Sequence, residues 1–176
     1  CLLSAVDVIA PWHPGLVRGN AEFFRGDSWQ LLLTDPGQAL RAAVFLRAAL
    51  RAQNLATTRV AIALGRVDKV EEERISLSTG EAFTLSGQTL DSMKKPTQMA
   101  IELQPNLVLP APWIKTVVEL CDVIVSQWTA RQAEIVQIRL AADELTYEEI
   151  AESLHPKVSK QAVSKAISGA NVPAVE

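Results

Sequence analysis

The chain is poor in the residues that build most catalytic centres and disulfide frameworks. Its 176 residues include 2 cysteines, 2 histidines and 1 tyrosine. Cys1 and Cys121 lie far apart, and no Cys-x-x-Cys or mixed Cys/His spacing indicates a metal site or a structural disulfide. His13 and His155 have no serine or cysteine partner at a recognisable spacing, which argues against a nucleophilic triad. The P-loop and Gly-x-Gly-x-x-Gly patterns are also missing.

Long apolar runs and an excess of positive charge are missing as well. No run approaches the roughly 20 residues of a membrane span, and no signal peptide is visible, so we expect a cytoplasmic protein without a membrane partner. The net charge is −3, so contact with nucleic acid must come from a local basic patch. Hydrophobic residues make up 48% of the chain, enough for a real core. Because the chain begins at Cys1 and not at Met, we expect that upstream sequence is missing.

The N-terminal part alternates strand and helix signals. Gly26-Asp27 between two apolar runs predicts a hairpin, and Asp35-Pro36 predicts the start of a helix that stops near Asn54. Arg41, Arg47 and Arg51 are interpreted as the solvated edges of that helix. Further strands are expected at 59–65, 75–78 and 99–103, and a capping-box spacing at 78–81 predicts another helix.

Three prolines, Pro105, Pro110 and Pro112, mark a boundary in the middle of the chain. We therefore predict an α/β domain over residues 1–104, a linker and connecting helix over 105–128, and a helical domain over 129–176. The connecting helix carries a broad apolar stripe. Intramolecular packing explains this stripe best, and packing against a second subunit is the alternative.

The region after the connecting helix predicts three short helices. Thr129 with Gln132 and Thr146 with Glu149 both have capping-box spacing. Pro156 cannot continue a helix and indicates a turn over 154–157, after which Ser159 is the expected cap of the last helix. The small residue Ala151 allows that last helix to cross closely.

The last helix is apolar on one face and cationic on the other. Val163 and Ile167 are expected to point inward, and between positions 157 and 165 there are three lysines and no carboxylate. Lysine and glutamine can hydrogen-bond base edges, and serine and lysine can hold phosphates. The predicted DNA-binding residues are Lys157, Ser159, Lys160, Gln161, Ser164 and Lys165. The alternative is a plain three-helix module whose cationic face is solvated or docks an acidic protein.

These helices resemble the helix-turn-helix of bacterial regulators and of sigma-factor region 4. The matching segments are 129–136, 145–151 and 158–164. The resemblance implies that DNA is the partner. The chain departs from the pattern in its turn, which carries no glycine over 154–157.

A second resemblance covers the N-terminal part. Gly26-Asp27 after a strand, the run at 60–67 after a helix, and Gly80 to Phe83 opening another helix resemble the catalytic domain of class III nucleotide cyclases. They also resemble SatD-like proteins, which pair such a domain with a C-terminal helix-turn-helix. The implied fold class is α+β, a ferredoxin-like (cyclase-like) α/β sandwich followed by an all-α helix-turn-helix domain.

The cyclase resemblance also implies roles for individual residues. Asp27 matches the family's hairpin carboxylate, which holds a metal ion, but a turn-forming role for Asp27 is slightly favoured. The strand with the family's other metal carboxylate has no match, and we expect that it is missing from the chain. Thr84 and Gln88 stand where the family has an asparagine and an arginine, and a neutral Gln88 cannot offset developing phosphate charge. We therefore expect no enzyme activity and no cofactor, with a divalent metal or a nucleotide effector left open.

The sequence thus favours a DNA-binding transcriptional regulator with a catalytically degenerate cyclase-like sensor domain. A homodimer is expected, because one short helix gives weak specificity. The alternatives are a metal-dependent enzyme of the nucleotide cyclase type and a protein-docking module without DNA binding.

Overall fold

The computed structural model describes residues 2–24, 26–54, 58–105, 112–142 and 144–172, and it shows a mixed α+β protein. Strands and helices alternate in the first part of the chain, and only helices follow Leu103 in the described ranges. The elements are α1 (Leu2–Ile9), β1 (Val17–Phe24), β2 (Ser28–Leu33), α2 (Ala39–Ala52), β3 (Val60–Leu64), α3 (Glu81–Ser92), β4 (Met99–Leu103), α4 (Pro112–Gln127), α5 (Ala130–Ala141), α6 (Tyr147–Ser153) and α7 (Lys160–Gly169).

The predicted hairpin is confirmed. β1 and β2 pair antiparallel, with Phe23 opposite Trp29 and Phe24 opposite Ser28. The connecting turn contains Gly26 at a φ of 90°, a conformation that glycine adopts without a steric penalty. The hairpin is irregular between Arg18 and Glu22, where the register shifts.

The predicted start of α2 is also confirmed. The carboxylate of Asp35 accepts a hydrogen bond of 2.8 Å from the backbone N–H of Gly37, and a short 3₁₀ turn leads into the helix. α2 then buries every residue from Ala42 to Ala49. It ends at Ala52, and Asn54 follows in the left-handed conformation that often ends a helix.

A second pair of strands is parallel, as a helix connection requires. β3 and β4 pair from Val60 opposite Met99 to Leu64 opposite Leu103, and α3 lies between them in the chain. Within the described ranges, β3–β4 and the β1–β2 hairpin are separate two-stranded sheets. The predicted strands at 59–65 and 99–103 are confirmed.

The strand expected at 75–78 is wrong, and so is the capping box at 78–81. Residues Ile75–Leu77 form a 3₁₀ turn closed by a hydrogen bond of 3.0 Å from the Ser78 N–H to the Ile75 oxygen. α3 does begin at Glu81, but its N-cap is Gly80, at a φ of 141° and without a side-chain cap. A Cβ at Gly80 would lie 2.5 Å from the Arg66 oxygen, so close packing of the backbone selects glycine here.

The C-terminal helices pack against the N-terminal part through α2. The Arg41 guanidinium donates from Nη2 to the backbone oxygen of Leu140 at 2.9 Å, and Arg51 donates from Nε to the backbone oxygen of Trp128. Buried residues of α2, α4, α5, α6 and α7 belong to one apolar core. The domain boundaries at 104 and 128 stay predictions.

A buried ion pair joins α2 to α4. Arg47 and Asp122 are each 6% exposed, and Arg47 Nη1 lies 2.5 Å from Asp122 Oδ1. The other carboxylate oxygen of Asp122 accepts a hydrogen bond of 2.8 Å from the Gln98 N–H. Burial lowers the pKa of the Arg47 guanidinium, and the charge of Asp122 partly offsets this effect. The interpretation of Arg47 as a solvated edge residue is therefore wrong, because a carboxylate 75 positions along the chain allows its burial.

Candidate nucleic-acid interface

Two capping boxes define the starts of α5 and α6, as the sequence predicts. The Gln132 side chain accepts from the Thr129 N–H at 2.9 Å, and the Thr129 hydroxyl accepts from the Gln132 N–H at 3.2 Å. The same reciprocal pair joins Thr146 and Glu149, at 2.8 and 3.3 Å. Hydrogen bonds from Thr146 lower the pKa of the Glu149 carboxyl. The two capping boxes therefore determine at which residues α5 and α6 begin.

The inner faces of α6 and α7 form the apolar contact that the sequence predicts. Ile150 and Leu154 on one side and Val163 and Ile167 on the other are buried. Ala151 is buried as well, and its small side chain permits the close approach of the two helices. This contact fixes which face of α7 points outward.

The segment between α6 and α7 runs from Leu154 to Ser159 and contains no glycine. Two hydrogen bonds anchor it. Arg131 of α5 donates from Nη2 to the Pro156 oxygen at 2.8 Å, and the Val158 N–H donates to the Ala151 oxygen at 3.4 Å. Arg131 thus supports the turn from a neighbouring helix, a role that sequence reasoning missed.

The predicted DNA-binding residues lie on or next to the outer face of α7. Lys157, Lys160, Gln161 and Lys165 are exposed, whereas Ser164 is half-buried. Ser159 is exposed, and its hydroxyl caps α7 by accepting from the Ala162 N–H at 3.2 Å. Four of the six therefore lie within the first two turns of α7, and Lys157 and Ser159 come just before it.

The lysines of this face differ in their partners. Lys160 Nζ forms an ion pair of 3.1 Å with Glu148 Oε2 of α6. Within the described ranges, neither Lys157 nor Lys165 has a carboxylate within ion-pairing distance. Among the described residues, these two lysines have no ion-pair partner to give up before meeting an anion.

A buried tryptophan holds the far end of α7. The Trp128 side chain is 1% exposed, and its Nε1–H donates to the Ala170 oxygen at 2.8 Å. Trp128 lies between α4 and α5, so this bond connects the connecting helix to the end of α7. Nothing in the local sequence around Trp128 predicts this hydrogen bond, because its acceptor lies 42 positions along the chain.

The residues implied by the cyclase resemblance lie apart from α7 in the chain and are exposed. Asp27 is in the hairpin turn, and Thr84 and Gln88 are on α3. In the part of the chain that the structure describes, no three histidine, cysteine or acidic side chains gather as metal ligands would. The metal role of Asp27 stays a prediction.

None of the helices in the described ranges combines the length and the apolar composition that crossing a bilayer requires. Comparison of the chain with models of known protein families, with curated proteins and with solved structures finds no match.

Proposed function

We propose that this protein is a DNA-binding transcriptional regulator that places α7 in the major groove. The observation that carries the proposal is the arrangement of α7, with Val163 and Ile167 buried, Gln161 and Lys165 exposed on the other face, and Lys157 exposed just before the helix. A helix presented in this way can bring a glutamine to base edges and lysines to phosphates. Affinity for the phosphate backbone of the DNA would then come from this patch, because the protein's net charge of −3 opposes DNA binding.

The rigid support of α7 favours the same function. A recognition helix is useful only if its orientation is fixed, and three contacts outside the helix fix it here. They are the apolar contact with α6, the hydrogen bond from Arg131 to the turn, and the hydrogen bond from Trp128 to Ala170. Side chains that read base edges need such a fixed orientation to meet their hydrogen-bond partners in the groove.

The proposal includes a ferredoxin-like, cyclase-like N-terminal part that acts as a sensor without catalysis. The β1–β2 hairpin followed by α2 and then by β3, α3 and β4 supports this order of elements. The neutral and exposed Gln88, in place of the family's arginine, supports the absence of catalysis. A nucleotide effector remains part of the proposal, and so does a cytoplasmic location.

A homodimer completes the proposal. The outer face of α4 exposes Trp113, Leu120 and Val123 at 56%, 58% and 57%. Three large apolar side chains on one helix are costly to leave in water, and a second copy could cover them. Two copies would also present two recognition helices, which raises specificity beyond that of one short helix. Sedimentation equilibrium of the intact protein and of Leu120→Glu tests this part.

DNA binding is tested with the intact protein and a labelled mixed-sequence duplex, by fluorescence anisotropy from about 50 to 200 mM salt. We expect affinity to fall steeply with salt. The double variant Lys157→Gln/Lys165→Gln should bind more weakly, and its log–log salt slope should be shallower by about 0.9 for each phosphate contact removed. The matched control is Lys94→Gln/Lys95→Gln, which removes two exposed lysines just after α3.

Three outcomes would contradict the proposal. They are binding that does not depend on salt, an equal loss in Lys94→Gln/Lys95→Gln, and a failure of the intact protein to bind DNA at the lowest salt. Displacement of the duplex by polyglutamate at equal charge concentration would favour the docking of an acidic protein instead.

A further inference from the structure

Gln161 and Lys165 form the outermost ridge of α7. Val163 and Ile167 are buried, and Lys165 lies two positions from each of them, which places it about 200° around the helix from both. Gln161 precedes Val163 by two positions and Lys165 by four, so it lies on the same side of the helix, one turn before Lys165. Both side chains are exposed. A surface that approaches α7 from outside therefore meets Gln161 and Lys165 first.

The exposed residues on either side of this ridge are small. Ala162 and Ser168 flank the line from Gln161 to Lys165, and both are exposed. The major groove of B-DNA is about 8.5 Å deep and admits an α-helix. Because the flanking side chains are short, α7 can lie close enough to the base pairs for the Gln161 amide to reach their edges.

The polar side chains next to Gln161 already have partners within the protein. Lys160 Nζ forms its ion pair of 3.1 Å with Glu148, and the Ser159 hydroxyl accepts from the Ala162 N–H at 3.2 Å. The Gln161 side chain, in contrast, has no hydrogen-bond partner among the described residues. In the first turn of α7, the Gln161 amide can therefore bond to a new partner without breaking one of these contacts.

The amide of Gln161 presents a hydrogen-bond donor and an acceptor side by side. Adenine shows the complementary pair in the major groove, where its N7 accepts and its N6 amino group donates, so one glutamine can form two hydrogen bonds with it. Lysine carries donors only, at the end of a flexible stem, and acts as a point charge that suits a phosphate. From Lys157 to Gly169, Gln161 is the only residue whose side chain offers both roles in one planar group.

We propose that Gln161 is the specificity-determining residue of α7 and that it reads an adenine in the major groove. This inference rests on the proposed DNA binding by α7. Lys157 and Lys165 supply affinity that does not depend on sequence, through phosphates, and Gln161 supplies the preference for an A·T pair at one position under the helix. Two hydrogen bonds to one base correspond to a preference of about ten-fold over the other base pairs at that position.

Selection from a pool of randomised duplexes tests the role of Gln161 in the full chain. The unaltered protein should enrich a sequence that contains the adenine, and Gln161→Ala should lose the preference at that position alone while its salt slope stays the same, because no charge is removed. Lys157→Gln is the matched comparison, since Lys157 is exposed and precedes the helix. It should bind more weakly with a shallower salt slope, but enrich the same sequence.

A change of the amide to a carboxylate tests the contact with the base. The carboxylate of Gln161→Glu has nearly the same shape but only accepts, and it can pair with the N4 amino group of cytosine. We expect the preferred base at this position to change from adenine to cytosine, in competition between duplexes that differ only in this base pair. A variant that merely disturbed the helix would lose affinity without a preference for a new base, so retained preference for adenine in Gln161→Glu would reject the inference.

The selection separates a failure of this inference from a failure of DNA binding itself. Salt-sensitive binding without any enriched sequence would overturn the role of Gln161 and leave DNA binding by α7 in place, and so would an unchanged adenine preference in Gln161→Ala. A relaxed position that held a base other than adenine would reject the assignment of adenine. If the intact protein bound no duplex of the pool at about 50 mM salt, both proposals would be wrong.

Discussion

The indole Nε1–H of Trp128 donates a hydrogen bond of 2.8 Å to the main-chain oxygen of Ala170, 42 positions further along the chain. The ring is buried, and Ala170 is the residue that caps the C-terminal end of α7. A side chain at the junction of α4 and α5 thus fixes the end of the proposed recognition helix that lies opposite its lysine-rich start. The orientation of α7 therefore depends on the connecting helix as well as on α6.

Replacing Trp128 with phenylalanine tests this dependence. Trp128→Phe keeps much of the buried apolar surface but leaves the Ala170 carbonyl without its donor, which costs about 1–3 kcal/mol. We expect a lower urea midpoint and weaker DNA binding from a less firmly oriented α7. Trp113→Phe is the control, because Trp113 is 56% exposed, and its effect should stay within about 0.5 kcal/mol. Equal midpoints for the two variants would show that the hydrogen bond contributes little.

The buried ion pair between α2 and α4 predicts a larger loss. Arg47→Met should destabilise the protein by about 3–5 kcal/mol, since it leaves the Asp122 carboxylate buried without its cation. Arg18→Met is the matched control, because the Arg18–Glu72 pair is largely exposed and should contribute no more than about 1 kcal/mol. The free energy of unfolding from denaturant titration measures both. A loss below about 1 kcal/mol in Arg47→Met would show that the Asp122 side chain finds other hydrogen-bond partners or water when Arg47 is replaced.

Local signals in the sequence predict local structure well in this chain. The Asx cap at Asp35, the two threonine capping boxes and the glycine turn of the hairpin all involve residues within a few positions of each other. Helical periodicity also predicts the inner faces of α6 and α7. The apolar face of each helix is covered by the other helix, which is its neighbour in the chain, and the buried residues are Ile150, Leu154, Val163 and Ile167.

Features that depend on distant residues could not be predicted in the same way. The burial of Arg47 depends on Asp122, and the 3₁₀ turn at Ile75–Leu77 depends in part on the Glu22 carboxylate, which accepts from the Ser76 N–H. Gly80 replaces a side-chain cap because Arg66 and Val67 approach it closely. An apolar run such as 75–78 is ambiguous by periodicity alone, and the packing around it decides the outcome.

The ion pair between Lys160 and Glu148 predicts a gain of function. Glu148→Gln removes a negative charge next to the proposed DNA surface and frees Lys160, whose Nζ lies 3.1 Å from the carboxylate. We expect tighter DNA binding and a steeper salt dependence, by up to about 0.9 in the log–log slope if Lys160 then reaches a phosphate. In the Lys160→Gln background the change in slope should disappear. Unchanged affinity in Glu148→Gln would place Lys160 outside the DNA contact.

The capping carboxylate of α6 predicts a specific dependence of stability on pH. Hydrogen bonds from the Thr146 N–H and hydroxyl lower the pKa of Glu149 from its ordinary value of 4.5. The folded state therefore favours the charged form, and this contribution is complete above pH 4.5 and is lost as the pH falls through the lower folded pKa. Glu149→Gln should show a smaller loss of stability over this acid range, by urea unfolding at a series of pH values.

Glutamine suits this test because the chain already uses it in the same role at Gln132, where it caps α5 opposite Thr129. We therefore expect Glu149→Gln to keep the helical content of the protein at neutral pH, as measured by circular dichroism. The Thr146→Ala background serves as the control, because removing the hydroxyl takes away part of the preference for the charged carboxylate. In that background, glutamate and glutamine at position 149 should differ less in how much folding stability the protein loses as the pH falls. If the difference persists in full, the Thr146 hydroxyl does not set the pH response.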